Sequence, residues 1–232
     1  NDSNSETSLN SERKESKIMK FITIGELLMR LSPPDYEKIR TTSSYVVNFG
    51  GAEANVAVSL ANLGVDTTVF TVLPDNDIGR SAVRSLKAND VHTSPIIFGG
   101  ERMGVYFLEE GIGVRSSKVI YDRAGSSIYT ASKEDFNWKE IFEGAEWFHF
   151  TGITPALNDN VAEICLEACK AAKEMNVKIS CDLNYRNKLW SKEKAGQVMG
   201  EICKYVDVCI ANEEDAADVF GIHAANTDVT AG

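Results

Sequence analysis

The feature that most constrains this chain is the stretch at residues 46–64, which reads VVNFGGAEANVAVSLANLG. An apolar run ends at Gly50 and Gly51, and apolar and small residues then recur at helical spacing as far as Gly64, a typical C-terminal cap. Two successive glycines allow close approach of the backbone to a small ligand, and Asn55, one turn into the helix, carries a donor and an acceptor. The stretch predicts a strand, a glycine turn and a helix that can hold a polyhydroxylated or anionic ligand, although a tight turn without a ligand needs the same residues.

Length and composition limit the kind of protein. With 232 residues, of which 43% are apolar, the chain can bury one substantial core, which predicts one main domain. A formal net charge of −10 and a pI near 4.9 argue against nucleic-acid binding, which relies on clustered Lys and Arg. No stretch approaches the roughly 18 apolar residues of a membrane span, and the amino terminus shows no apolar signal core, so we expect no membrane partner and a cytoplasmic location.

Cysteine and histidine do not predict a metal site. The five cysteines lie in apolar or amphipathic runs and are interpreted as reduced core thiols. Cys165 and Cys169 are spaced i, i+4 on a predicted helix, but no further His or Cys pair is placed to complete four ligands. His92, His149 and His223 share no motif.

The order of patterns along the chain predicts an α/β fold. Residues 1–19 are rich in Asn, Ser, Glu and Lys and are predicted to be a disordered tail, which leaves the α/β domain at residues 20–232. Strand-like runs alternate with helical patterns, which predicts a doubly wound, mostly parallel sheet with helices on both faces. The predicted strands are residues 21–31, interrupted at Gly25 and Glu26, then 66–73, 147–150, 177–182 and 206–211.

One segment departs from this alternation. Residues 96–121 alternate apolar and polar residues around Gly111 and Gly113, as an antiparallel hairpin would. Beside residues 30–48, this hairpin is predicted to form a small separate sheet, a lid built from segments at about 30–48 and 95–123.

Polar residues follow several predicted strands at their carboxyl ends. Ligand pockets form at this edge of an open parallel sheet, so these residues are expected to surround one crevice. The residues concerned are Glu26, Gly50, Gly51, Asn55, Thr151, Gly152, Ile153, Asn184, Arg186 and Asn212, with Tyr106, Tyr121 and Arg123 facing them from the lid. Arg123 and Arg186 have planar donor forks suited to a carboxylate or a phosphate. Structural alternatives are hairpin packing for the tyrosines and solvated charges for Glu26 and Arg123.

Several motifs in the right order carry a resemblance to a known family. The run GGAEANVA at residues 50–57 is followed by LANLGVD and PDNDIGR. From about residue 21 onwards the chain resembles the PfkB, or ribokinase-like, carbohydrate kinases, and within them the 2-keto-3-deoxygluconate kinases, because Glu53 stands where ribokinase has glycine. The resemblance implies a ribokinase-like fold and the following substrate-binding residues: Glu26, Gly50, Gly51, Asn55, Tyr106, Tyr121, Arg123, Ile153 and Arg186.

The resemblance also implies ATP and Mg²⁺ as cofactors, with Asn184, Arg186 and Asn212 near the nucleotide and Arg186 in contact with the phosphate in the transition state. Asp215 stands where the family's N-x-x-E segment has Glu, and helix capping by this segment is the alternative. No G-A-G-D run, which carries the family's catalytic Asp, occurs before Gly232. We therefore expect the amino-terminal portion of a kinase, with the carboxyl-terminal part of the fold absent, no catalytic base and no turnover by itself.

The predicted activity is ATP-dependent phosphorylation of a sugar acid, with 2-keto-3-deoxygluconate converted to its 6-phosphate as the favoured reaction. Fructokinase or another sugar kinase of the family is one alternative, and a non-catalytic sugar-acid-binding fragment is another. A dinucleotide-dependent dehydrogenase is disfavoured because no G-x-G-x-x-G follows the first strand. The expected partners are the small-molecule sugar acid and, through the lid, a second copy of the chain in a homo-oligomer.

Overall fold

The computed structural model describes residues 19–223, so the predicted tail at residues 1–19 lies, apart from Met19, outside the described residues. The strands are β1 Lys20–Ile24, β2 Leu28–Ser32, β3 Val46–Gly50, β4 Asp66–Phe70, β5 Val72–Leu73, β6 Ile97–Phe98, β7 Val105–Glu109, β8 Lys118–Asp122, β9 Trp147–Thr151, β10 Lys178–Asp182 and β11 Val208–Ile210. The α-helices are α1 Ala52–Asn62, α2 Asp77–Lys87, α3 Trp138–Ile141, α4 Asp159–Glu174, α5 Lys192–Ile202 and α6 Glu213–Phe220. None of the described helices is long and apolar enough to cross a membrane.

The main sheet confirms the predicted α/β architecture. It has five strands in the order β11-β10-β9-β1-β4, and each neighbouring pair is parallel. The chain starts in β1, continues to β4 on one side and later reaches β9 on the other side, so the direction of winding reverses between β1 and β9. The carboxyl ends of these two strands therefore form the type of crevice in which open α/β sheets bind ligands.

Helices cover both faces of the main sheet, as the alternation predicts. Successive side chains of a strand point to opposite faces. In β4, Val69 packs into a cluster with Ala57 of α1, whereas Phe70 packs on the other face with Phe148 and Phe150 of β9 and with residues of α4. The two clusters hold α1 and α4 against opposite faces.

Of the five free cysteines, three are buried, Cys203 is half-buried and Cys209 is exposed. Cys165, Cys169 and Cys181 are buried, in agreement with their interpretation as core thiols, and burial raises the pKa of Cys169 to about 12. Cys209 is exposed, contrary to the prediction, because β11 is an edge strand of the main sheet.

Two predicted strands are each divided between two sheets. Residues 21–31 form β1 in the main sheet and β2 in a second sheet, and the break falls at the predicted interruption, Gly25 and Glu26. Residues 66–73 form β4 in the main sheet and β5, which pairs with β6. Apolar pattern predicts buried extended backbone, but it does not indicate which strands supply the hydrogen-bond partners.

The second sheet, called the lid below, has the strand order β3-β2-β7-β8. The β2–β3 and β7–β8 pairs are antiparallel and β2–β7 is parallel, so the hairpin predicted in residues 96–121 is present as β7 and β8. The register aligns Asn48, Arg30, Tyr106 and Tyr121 in one row across the four strands. Residues in such a row share a face, so Tyr106 and Tyr121 point to the same side of the lid.

Asp207, just before β11, joins α4 to β10. Its carboxylate accepts hydrogen bonds from Lys173 Nζ at 2.9 Å, from the Ile179 backbone N–H at 2.9 Å and from Lys178 Nζ at 3.2 Å. The bond from Lys173, followed by the bond from Ile179, lowers the pKa of Asp207 from 3.8 to about 2. Because the folded-state pKa lies below the unfolded value, the carboxylate stabilises the fold above about pH 4, and this contribution is lost as the pH falls towards 2.

We expect Asp207→Asn to lower the free energy of unfolding at pH 7 and the difference from wild type to shrink between about pH 4 and pH 2. Urea unfolding of both proteins across this pH range measures the difference. Glu174→Gln removes another exposed carboxylate of this region and serves as the control. A difference between Asp207→Asn and wild type that stays constant down to pH 2 would contradict the prediction.

Candidate functional site

A cavity of about 200 Å³ lies between the carboxyl ends of β1 and β9 and the lid. Its lining includes every residue that the sequence predicted to bind the substrate, so most of the predicted crevice is present, whereas Thr151, Gly152 and Asn212, expected at the same edge, do not line it. The lining residues are Glu26, Leu28, Gly50, Gly51, Ala52, Glu53, Asn55, Tyr106, Tyr121, Arg123, Ile153, Asn184 and Arg186. A larger depression of about 600 Å³, near Lys20 and Asp66 at the other ends of the strands, contains none of the predicted residues.

Glu26 and Arg123 form a buried ion pair at one side of the cavity. Arg123 Nε donates to Glu26 Oε2 at 2.7 Å, Nη2 donates to the same oxygen, and Ser126 Oγ donates to Glu26 Oε1 at 2.6 Å. The Glu26 side chain is 3% exposed and the Arg123 side chain 14%. The pair joins the end of lid strand β8 to the turn between β1 and β2. The sequence predicted that Glu26 and Arg123 would each contact the substrate separately. In the fold they form an ion pair with each other.

The lid contributes an aromatic wall to the cavity. Tyr106 of β7 and Tyr121 of β8 are register partners, and their ring centroids are 5.7 Å apart. The guanidinium carbon of Arg123 lies 5.5 Å from the centroid of the Tyr121 ring, which is a cation–π contact. Hairpin packing explains the contact between the two rings, but Tyr121 is 53% exposed. Its ring is therefore accessible to a ligand.

The glycine turn packs directly against the turn between β1 and β2. Gly51 precedes α1 with φ −171° and ψ 158°, which is extended backbone that any residue adopts. Glycine is required at this position for lack of space and not for its backbone angles, because a Cβ on Gly51 would lie 2.2 Å from the carbonyl oxygen of Glu26. A Cβ on Gly50 would lie 3.3 Å from Asn55 Oδ1, so the Asn55 side chain reaches back to the turn as the sequence suggested. The two glycines thus bring the start of α1 to the cavity.

Glu53 is a cavity residue that the sequence reasoning did not include among the site residues. It is 2% exposed, and burial raises the pKa of its carboxyl group, although hydrogen bonds from Thr154 and Thr151 act in the opposite direction. Its Oε1 accepts from the Thr151 backbone N–H at 3.0 Å, from Thr151 Oγ1 at 2.7 Å and from Thr154 Oγ1 at 2.7 Å. The signal in the sequence was a charged residue among small ones at the start of an apolar helix.

The loop after β10 brings Asn184 and Arg186 to the cavity. Asn184 has a φ of 39°, in the left-handed region that Asn tolerates better than most residues. Arg186 is exposed, and its Nη1 donates to the carbonyl oxygen of Tyr185 at 3.4 Å. Within residues 19–223 Arg186 forms no ion pair. Its charge lowers the pKa of the Asp215 carboxyl group, but in contrast to Arg123 its guanidinium is not held in a salt bridge by any described residue and can also pair with a ligand.

The side chain of Asn212 does not line the cavity. Its Oδ1 accepts from the Asp215 backbone N–H at 2.6 Å, so it caps α6, which was the alternative interpretation of this segment. Asp215 is buried; burial raises the pKa of its carboxyl group, and a hydrogen bond with the Tyr185 backbone lowers it. Asp215 thus contacts the loop that carries Arg186. The predicted nucleotide contact of Asn212 stays a prediction.

The sequence of this chain is similar to those of known carbohydrate kinases. The sequence profile of the pfkB family carbohydrate kinases matches residues 19–231. The 2-dehydro-3-deoxygalactonokinase of Haloferax volcanii is 37% identical over 200 residues, which are 86% of this chain and 63% of that protein.

Solved structures show the same similarity. The crystal structure of 2-dehydro-3-deoxygluconokinase from Thermotoga maritima matches with a TM-score of 0.87 and 51% identity, over 90% of this chain and 64% of that chain. A sugar kinase from Pyrococcus horikoshii in complex with ATP matches with a TM-score of 0.77 and 25% identity, over 88% of this chain and 67% of that chain. The present chain spans less than two thirds of the Haloferax and Thermotoga proteins.

Proposed function

Because the chain belongs to the pfkB family of carbohydrate kinases, we propose that its cavity binds a sugar acid for ATP-dependent phosphorylation. The proposed substrate is 2-keto-3-deoxygluconate or its galactonate epimer, phosphorylated at the 6-hydroxyl. The names of the Haloferax and Thermotoga relatives support this class of substrate. The observation that carries the proposal is the free guanidinium of Arg186 at a cavity in which the other cation, Arg123, is paired with Glu26.

The charges around the cavity favour an anionic ligand over a neutral one. Glu26 and Arg123 compensate each other, and burial raises the pKa of Glu53. Although it lies within electrostatic reach of Asp215, Arg186 is the cation of the cavity that forms no salt bridge with another described residue. A carboxylate on the sugar would pair with this charge through two parallel hydrogen bonds, which is the strong geometry for arginine. Fructose lacks a carboxylate, so in a fructokinase this cation would contact only the phosphates of ATP and not the sugar.

The residues of this chain would bind and orient the sugar. In phosphoryl transfer, positioning and charge neutralisation supply most of the rate, and the attacking hydroxyl approaches in line with the leaving oxygen. We propose that the glycine turn and Asn55 hold sugar hydroxyls, that Tyr106 and Tyr121 cover the ring and exclude water, and that Ile153 forms the opposite wall. None of the described residues is assigned as the base that takes the proton of the hydroxyl.

ATP is the proposed phosphoryl donor, as the ATP complex of the Pyrococcus horikoshii relative suggests. ATP supplies the phosphoryl group, and Asn184 and Arg186 are the residues of this chain that would contact its phosphates. Within residues 19–223 no group of three or more His, Cys, Asp or Glu side chains is arranged to hold a metal ion. Mg²⁺ in kinases is usually held by one or two carboxylates together with the phosphates of the substrate, so the proposed Mg²⁺ would accompany ATP, and no step is assigned to it.

We also propose that the lid mediates contact between two copies of the chain. The register aligns Val47, Leu31, Phe107 and Ile120 in one row on the face opposite to Tyr106. Val47 is 51% exposed and Ile120 40%. An exposed apolar sheet face of this kind is typical of an interface.

We expect Arg186→Ala to weaken binding of 2-keto-3-deoxygluconate by about 10- to 100-fold, because it removes a charged hydrogen bond of about 1.5–3 kcal/mol. Isothermal titration of the chain with 2-keto-3-deoxygluconate, the galactonate epimer and fructose measures the affinities. Arg84→Ala, which removes an exposed arginine of α2 outside the cavity, is the control for net charge. Equal losses for the acid and for fructose, or no loss for the acid, would contradict the proposed substrate class.

A further inference from the structure

The carboxyl group of Glu53 is bound by the segment that follows β9. All three donors to Oε1 belong to Thr151 and Thr154, and each of these hydrogen bonds is between 2.7 and 3.0 Å long. Thr151 and Thr154 are 1% exposed, so water does not compete for these contacts. Glu53 is the second residue of α1, directly after the glycine turn. The carboxyl group thus connects two segments that are about a hundred residues apart in the chain.

The other oxygen of Glu53 faces the end of β1. A Cβ on Gly25 would lie 2.1 Å from Glu53 Oε2, so only glycine leaves room for this oxygen. Gly25 precedes Glu26, the partner of Arg123. The Glu53 side chain therefore joins its own segment, which contains Gly51, to two others. These are the end of β1, where Gly25 precedes Glu26, and the loop after β9, where Ile153 lies between the two threonines.

Burial of the Glu53 carboxyl group is energetically unfavourable unless its hydrogen bonds compensate for the lost hydration. An alanine would fill the same helix position without this cost. Its neighbours Ala52 and Ala54 show that small residues are tolerated on this part of α1. The arrangement of donors around Oε1 makes the distance between the glycine turn and the loop after β9 depend on this one side chain.

We propose that Glu53 is a positioning residue, which sets the distance between the glycine turn and residues 151–154 and thereby the width of the cavity for the sugar. The part of this proposal that concerns sugar binding rests on the proposed function, whereas the positioning of residues 151–154 by Glu53 does not. Glu53→Gln keeps the size of the side chain and an oxygen acceptor for the same donors. Glu53→Ala leaves the buried Thr151 and Thr154 donors unpaired, which is unfavourable for the contact between the two segments.

The first measurement needs no ligand. Hydrogen exchange of the Thr151 amide is expected to be at least about tenfold faster in Glu53→Ala than in wild type, because a hydrogen bond worth about 1.4 kcal/mol protects it tenfold. In Glu53→Gln the exchange rate is expected to stay within about threefold of wild type. If Glu53→Ala does not fold, Thr154→Val removes one donor at constant size, and Thr154→Ser restores it. Thr41→Val, at an exposed threonine away from the cavity, is the control.

The second measurement is the dissociation constant of 2-keto-3-deoxygluconate, determined by titration at a temperature where unfolding curves show each variant to be folded. We expect Glu53→Ala or Thr154→Val to weaken binding at least about tenfold, and Glu53→Gln or Thr154→Ser to preserve it. Unchanged exchange of the Thr151 amide would overturn the proposal, as would faster exchange with unchanged affinity. If wild type binds no sugar acid, the proposed function fails, and the exchange measurement alone decides whether Glu53 positions residues 151–154.

Discussion

Glu26→Ala is expected to lower the free energy of unfolding by about 3 kcal/mol, because it leaves Arg123, whose side chain is only 14% exposed, without its anionic partner. Ser126 loses the acceptor of its hydroxyl group in the same variant. Removal of one member of a buried ion pair is costly since the remaining charge stays out of water. Equilibrium unfolding in urea measures the effect.

An exposed ion pair supplies the matched control for this prediction. The Asp75 and Arg80 side chains are paired and about 60% exposed, and exposed pairs contribute about 0–1 kcal/mol. Asp75→Ala should therefore be nearly neutral. The double variant Glu26→Ala/Arg123→Ala should be less destabilised than the sum of the two single variants, because no unpaired charge remains. A loss below about 1 kcal/mol for Glu26→Ala alone would refute the assignment of a buried, mutually neutralising pair.

Gly51→Ala is expected to destabilise the protein by about 3 kcal/mol, at the upper end of the range for overpacked sites. The added Cβ would lie 2.2 Å from the Glu26 carbonyl oxygen and 3.6 Å from the Leu27 Cα. Both are backbone atoms, so a side-chain rotation cannot relieve the contact. The turn has to move away from the β1–β2 segment, and we expect sugar binding to be lost with it. Thermal or urea unfolding and titration of the variant measure the two effects.

Gly200→Ala tests whether the loss at Gly51 comes from space and not from a general cost of replacing glycine. Gly200 lies inside α5, and a Cβ there meets no atom within 4 Å. Alanine in a helix interior is more stable than glycine by about 0.5–1 kcal/mol, so this variant should be slightly stabilised. Similar changes in stability for Gly51→Ala and Gly200→Ala would contradict the steric argument.

The sequence predicted the elements of the fold well where one local rule is sufficient. The alternation of strands and helices, the hairpin in residues 96–121 and the cap at Asn212, which was the alternative interpretation of that segment, all depend on periodicity or on a residue within a few positions. Residues 21–31 and 66–73 show the limit. Both patterns are those of buried strands, yet each is divided between two sheets, because the choice of neighbouring strand is made by distant segments.

Most of the cavity residues were also predictable, since the carboxyl ends of parallel strands meet at one edge. The pairing of charges among these residues was not predictable. Glu26 and Arg123 are 97 positions apart, and no local pattern indicates that they bind each other. Glu53 drew attention only as a mark of family resemblance, and its role as an acceptor for Thr151 and Thr154 appears only when α1 and β9 are packed together.

By itself the sequence determined where the chain is extended, helical or turning, and which polar residues end the strands, because these properties follow from backbone stereochemistry and from the spacing of apolar residues. Only the tertiary structure decided which charges stay free. Burial and pairing depend on what the rest of the chain brings within hydrogen-bonding distance, and they leave Arg186 available to a ligand while Glu26 neutralises Arg123.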